Sequence, residues 1–377
     1  MIRLMSLILA VLITAATAGA APKPAYKVMY RCSLDLREKP QSFVCLDGPQ
    51  LLDRGRIVQL GRPIDRPDVL TLLDLSTFRT REVEVPGLRG KWPPSQTEPE
   101  VDRPMYYDTT DGMAGILLRT GGVRGSAEYA EWDLRANRIS RRFPLATPDG
   151  AQWMSVDPVG YDPARKECYL QVVKYGVRFK TSPNRGGHYD VSVLAVSDRV
   201  RTVTSWTESN KLGSKGPYFD PVHRRSMHVE YSEHAGTISG AHLVDLETGA
   251  VKTYQLPPLI YGFAFDPDPR RAYAYSYRTR EVFPLDLATG VMGKGRVFGN
   301  VGHLLDFVAP GVLCLGRNFG MHFLDAKTLK EKWFLNPKDF HKVDAHLEGS
   351  IFLPGRALVR SYENFYVIDF PGFTAAR

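Results

Sequence analysis

His242-Leu243-Val244-Asp245-Leu246-Glu247-Thr248-Gly249 decides how this chain folds: an apolar run ends in aspartate, a short turn follows, and a second, more polar run leaves the turn. The same grammar returns as Phe283-Pro284-Leu285-Asp286-Leu287-Ala288-Thr289-Gly290 and as His322-Phe323-Leu324-Asp325-Ala326-Lys327-Thr328. Fainter copies centre on Asp74, Asp133, Asp198 and Asp369. Successive aspartates are 59, 65, 47, 41, 39 and 44 residues apart, the period of four-stranded propeller blades with insertions in the first half. The chemistry of the turn explains the pattern. An aspartate side chain bonds the backbone two residues on, and Gly249 and Gly290 take positive φ without a Cβ clash.

A two-stranded hairpin is marginal alone, so each unit needs two more strands and a neighbour on each face. Those strands stand in front of the hairpins. Before Asp286 come Tyr261 to Phe265, a break at Asp266-Pro267-Asp268-Pro269, and Arg271 to Tyr277 with aromatics on alternate positions. Tyr218 to Pro221 with Met227 to Tyr231, and Met154 to Pro158 with Cys168 to Val173, repeat the arrangement. The expected fold is therefore all-β: one seven-bladed β-propeller, with six or eight blades as alternatives. Its blades fall at about 43–87, 104–147, 152–208, 217–257, 260–299, 301–336 and 340–370. The last holds three strands, Val343 to His346, Arg356 to Arg360 and Asn364 to Phe370, and Tyr26 to Tyr30 is expected to supply its outer strand and close the ring.

Residues 1–20 read as a signal peptide: a positive start at Arg3, an apolar run from Leu4 to Ile13, and small residues around Ala16 to Ala20. Residues 21–377 then form the propeller domain, exported to the periplasm or secreted, with no later run long enough for a membrane span. The Pro-rich stretch Trp92 to Pro104 is expected to be a surface connection between the first two blades. Cys32 and Cys45 lie where the ring closes, which leaves open a bridge pinning the N-terminal strand. Cys168 and Cys314 fall in second strands of separate blades and are expected as buried thiols.

The strand-Asp-x-x-Thr-Gly hairpins resemble the YVTN-type propeller repeat, and Phe323 to Thr328 followed by Trp333 resembles the repeat of quinoprotein propellers. The likeness is one of architecture. It implies a group that includes cell-surface binding proteins, quinone-dependent dehydrogenases and lyases, and it brings no cofactor residue with it.

In an up-and-down blade, the loop from second to third strand shares a face with the connection entering the first strand. Those loops carry positive residues: Arg62 and Arg66, Arg119 and Arg124, Lys174 with Arg178, Lys180 and Arg185, then Arg278 and Arg280, Arg317, and Arg360. Blade four supplies His234 instead, and the incoming connections add Arg89, Lys91, Lys211 and Lys215. With a formal charge of +8, this predicts a basic funnel that attracts an anion. Arginine grips carboxylate, sulfate or phosphate bidentately, so the expected partner is an anionic glycan, a cell-envelope polymer or an acidic protein surface. Nucleic acid is not expected, because the basic residues are dispersed over loops without a recognition motif.

One constellation in blade four has the residue types for chemistry. If Glu230 pairs with His242, then His228, Glu230 and His242 share a face with His234 above, a set that could bind zinc or form a base with its orienting partner. The sequence has no G-x-S-x-G elbow, P-loop or dinucleotide fingerprint. The expected function is a non-catalytic propeller that binds an anionic partner, without a cofactor. The alternative is a propeller lyase, lactonase or hydrolase using channel-facing His and Arg residues.

Overall fold

The computed structural model describes residues 23–33, 43–44, 50–63, 68–87, 100–120, 126–145, 153–175, 188–209, 214–230, 239–299, 304–316, 320–340, 347–361 and 364–374. Seven antiparallel sheets follow one another along the chain. After β1 (Lys27–Ser33), blade one holds β2 (Phe43–Val44), β3 (Gln50–Leu52), β4 (Ile57–Pro63), β5 (Val69–Asp74) and β6 (Arg79–Glu84). Blade two holds β7 (Glu100–Asp108), β8 (Met113–Thr120), β9 (Ser126–Asp133) and β10 (Arg138–Pro144). Blade three holds β11 (Trp153–Asp162), β12 (Glu167–Tyr175), β13 (His188–Val196) and β14 (Val200–Ser209). Blade four holds β15 (Ser214–Asp220), β16 (Arg225–Glu230), β17 (Ser239–Asp245) and β18 (Val251–Leu256). Blade five holds β19 (Ile260–Phe265), β20 (Arg271–Ser276), β21 (Glu281–Asp286) and the two-residue β22 (Arg296–Val297). Blade six holds β23 (Leu304–Ala309), β24 (Val312–Gly316), β25 (Met321–Asp325) and β26 (Glu331–Leu335). Blade seven holds β27 (Leu347–Leu353), β28 (Arg356–Ser361) and β29 (Asn364–Asp369), with a single helical turn, α1 (Pro371–Thr374), after it.

The ring closes as the sequence implies. β1 pairs antiparallel with β29, from Lys27 opposite Asp369 to Ser33 opposite Asn364, and becomes the fourth strand of blade seven. That closure covers the outer edge of β29, which would otherwise stand bare. Two boundaries move. The inner strand of blade seven is Leu347–Leu353, whereas the expected Val343 to His346 lies outside the described residues. The inner strand of blade two starts at Glu100, so the end of the Pro-rich stretch is strand rather than connection. Residues 1–20 and Cys45 lie outside the described residues, as does the side chain of Cys32.

Middle strands are buried on both faces, because each blade is sandwiched between two others. Val69 to Leu73 in β5 and Ala272 to Ser276 in β20 are buried without alternation. Outer strands alternate toward water only where they face it, as in β18. Each of the seven seams between blades holds its own apolar cluster. Blades four and five meet through Met227, Val229 and Ala241 against Phe263, Ala274 and Phe283. Blades seven and one meet through Leu358, Phe365 and Val367 against Val58, Leu60 and Leu73, with Met29 and Tyr30 of β1 laid over them. Cys168 and Cys314 are buried free thiols in the second strands of blades three and six, and burial pushes both well up.

The aspartate turns work as chemistry demands. Asp245 Oδ1 accepts from the N–H groups of Glu247 and Thr248, and Gly249 N–H closes the turn on the Asp245 carbonyl at 2.9 Å. Asp74, Asp133, Asp286 and Asp325 likewise accept backbone N–H groups two or three residues on. The same turn joins first to second strands at Asp108, Asp162 and Asp220. Its last position is left-handed throughout, with glycine at Gly112, Gly249 and Gly290 but Phe78, Asn137, Lys166, Arg224 and Leu329 elsewhere. Two repeats depart from it. β13 ends at Val196, so Asp198 sits at the tip of a shorter turn, and Asp369 pairs with Arg356 instead.

Candidate functional site

Strand order gives the wheel two chemically different faces. Turns from first to second and from third to fourth strands lie on one, the turn face; the remaining loops and the connections between blades lie on the other, the loop face. On the turn face, four basic residues are tied to acidic neighbours, while others such as Arg135 and Arg270 stand exposed. Arg224 reaches Asp162 at 3.0 Å, Glu247 at 3.3 Å and Glu167 at 4.0 Å, so it ties blade four to blade three. Arg165 meets Glu247 at 2.7 Å, Arg225 meets Asp220 at 2.8 Å, and Lys332 meets Asp325 at 3.0 Å.

The loop face differs. Arg278 and Arg280 stand exposed in the loop between β20 and β21, and neither has an ion pair among the described residues. The loop is fixed: Arg280 is left-handed at φ 56, and its carbonyl accepts Phe298 N–H at 2.7 Å. Tyr277 beside them is 48% exposed and packs on Tyr261 at 5.1 Å between centroids. Arg119 at the end of β8, Lys174 near the end of β12 and Arg360 in β28 are half-buried on the same face, with Arg119 across the ladder from Glu100. These residues belong to blades two, three, five and seven, so they surround the ring rather than cluster at one seam. Arg124, Arg178, His234 and Arg317 lie outside the described residues.

The histidine pair takes a register different from the expected one. His228 is directly opposite His242, two positions from the pairing with Glu230. Both rings pack on Trp206 of the neighbouring blade, at 5.3 and 4.9 Å. His228 is fully buried, with Nε2 bonded to Ser226 Oγ at 2.8 Å and Nδ1 to Gln171 Oε1. Gln171 Oε1 can only accept, so Nδ1 carries the proton and Nε2 accepts from the serine hydroxyl. Burial lowers the His228 pKa to about 3, and the nearby His242 adds to the effect. His242 Nδ1 is 3.1 Å from Thr253 Oγ1. A metal at His228 would have to displace one of two buried hydrogen bonds. Among the described residues no group of three His, Cys, Asp or Glu is placed to hold a metal, and the Glu230 side chain lies outside them.

Among the described residues, two half-open cavities lie along the inner strands, toward the turn face. A cavity of about 580 Å³ runs beside β7 and β11, where Tyr106 and Tyr161 stack at 3.9 Å. A second, of about 420 Å³, lies among β15, β19, β23 and β27. Neither is lined by arginine or histidine; their walls are aromatic and aliphatic with scattered carboxylates. Sequence reading missed this aromatic lining, although Tyr218, Phe219, Tyr261 and Phe265 at corresponding strand positions are its visible trace.

No family model matches the sequence, and no curated protein does either. Solved propellers match the fold. The Pan2 WD40 domain of Neurospora crassa superposes with a TM-score of 0.57 at 9% identity, covering 93% of this chain and 97% of that one. The Dos1 propeller gives 0.54 at 9% identity over 84% and 76%, and a chain of the mitotic checkpoint complex gives 0.57 at 8% over 92% and 93%. The architecture is thus a seven-bladed β-propeller with WD40-like structural neighbours, and no family match assigns it to the YVTN or quinoprotein type.

Proposed function

We propose that this protein is a non-catalytic binding propeller that recognises an anionic partner through its loop face. The observation that carries the proposal is a pair of neighbouring exposed arginines on one fixed loop. Arg224, Arg165 and Arg225 on the turn face are tied to Asp and Glu, whereas Arg278 and Arg280 project side by side from one fixed loop without an ion pair among the described residues. Uncompensated guanidinium groups concentrate anions and bind carboxylate, sulfate or phosphate in bidentate fashion. The chemistry fits an acidic glycan, a cell-envelope polymer or an acidic protein patch. The reading includes export through residues 1–20, and among the described residues no helix is long and apolar enough to cross a membrane.

The test is charge reversal on each face. Arg278→Glu with Arg280→Glu should lower the salt needed to elute the protein from a sulfated polysaccharide column, whereas the matched double reversal of exposed turn-face residues, Arg135→Glu with Arg270→Glu, should not. An equal fall from both variants would reduce the effect to net charge.

A further inference from the structure

The 420 Å³ cavity holds one carboxylate that the fold does not use. Four aspartates line the two cavities. Asp53 accepts from the N–H and hydroxyl of Thr109, Asp108 from two N–H groups of its own turn, and Asp220 from Val222 and His223 while pairing with Arg225. Asp306 stands apart. On β23 its only described bond is from the N–H of Phe307, at 2.7 Å, and no ion pair reaches it among the described residues.

Its surroundings are rings. Tyr218, Phe219, Tyr261, Phe263, Phe265 and Phe352, from three inner strands, line the same cavity. Arg225, whose guanidinium lies 4.9 Å from the Phe265 ring, is already neutralised by Asp220. Asp306 is exposed where it lines this cavity, and the surrounding protein pushes its carboxyl upward.

Aromatic faces attract cations through their quadrupoles, and a carboxylate beside them supplies the countercharge. The volume is that of a small-molecule site. We infer that this cavity is a binding site for an organic cation, with the ammonium or guanidinium head against Asp306 and its carbon skeleton among the rings. The source is a free amine or a Lys or Arg side chain of a partner, since both present the same head. This site is independent of the anion-binding loop face and opposite to it in charge.

Ligand-observed saturation-transfer NMR on the full-length protein tests the inference. The probes are tetramethylammonium, n-butylammonium and n-butylguanidinium, with butyrate and tert-butanol as anionic and neutral controls and a capped Gly-Lys-Gly peptide to separate the two sources. At least one cation should bind with a dissociation constant in the millimolar range or below, and butyrate should not. Asp306→Asn keeps the shape and should weaken cation binding at least tenfold without lowering the melting temperature at pH 8; Phe352→Leu should weaken it a few-fold. Binding of the peptide would name a protein side chain as the source, and binding of free amines alone a small molecule. No cation binding, undiminished binding by Asp306→Asn, or equal binding of butyrate would each overturn the assignment.

Discussion

Lys166 shows what the recurrent turn demands of a single residue. It occupies the left-handed position at φ 55, where an L side chain costs about 1–2 kcal/mol relative to ordinary backbone. Because Lys166 is exposed, Lys166→Gly should raise stability by up to about 1 kcal/mol in urea unfolding, after the entropy that glycine adds to the unfolded chain is deducted. The reverse holds at Gly249. A Cβ there would lie 2.4 Å from the Val203 carbonyl oxygen at φ +74, so Gly249→Ala should cost at least about 1–2 kcal/mol; an unchanged midpoint would contradict the reading. His228 supplies a pH signature. Its folded pKa, about 3, lies below the ordinary histidine value of 6.5, so between those limits the unfolded chain takes up a proton that the folded chain refuses. Stability therefore falls as pH drops through that window, by about 1.4 kcal/mol per unit from this group. NMR should find the His228 ring neutral, with the proton on Nδ1, at pH 5; a charged ring there would contradict the network.

At the scale of elements, β1 has the largest single task, because it completes blade seven and covers the seam to blade one through Met29 and Tyr30. A chain lacking residues 1–33 should melt several degrees lower and scatter light through pairing of the bared β29 edge. A monomer with unchanged melting would show that closure is dispensable. This strand was legible in the sequence, as were most of the aspartate turns, because both follow from local chemistry: alternation, turn residues and a missing fourth strand. The register of β16 against β17 was not. Sequence fixes which residues alternate, but the loop between the strands sets the offset, so His228 met His242 instead of Glu230. The aromatic cavity was hidden for a related reason. Its rings come from three inner strands far apart in the chain and look like ordinary core residues in each.

For the whole molecule, seven seams with separate clusters make stability a sum of neighbouring contacts, and acid should loosen it through the turns. The Asp325 carboxyl is held down to about 2, chiefly by Lys332 and also by Thr328. A depressed folded value contributes stability above the ordinary carboxylate range that is lost as pH falls toward 2. Asp325→Asn should therefore flatten the acid limb of the stability curve between about pH 4 and 2 relative to the parent protein.

The central claim is that Arg278 and Arg280, exposed on one fixed loop without an ion pair among the described residues, form the anion-binding part of the loop face. Arginine modification by phenylglyoxal, read by mass spectrometry with and without a sulfated polysaccharide, compares the faces directly in one sample. Protection should appear at Arg278 and Arg280 and leave Arg135 and Arg165 unchanged. Protection spread equally over both faces, or missing at Arg278 and Arg280, would contradict the account.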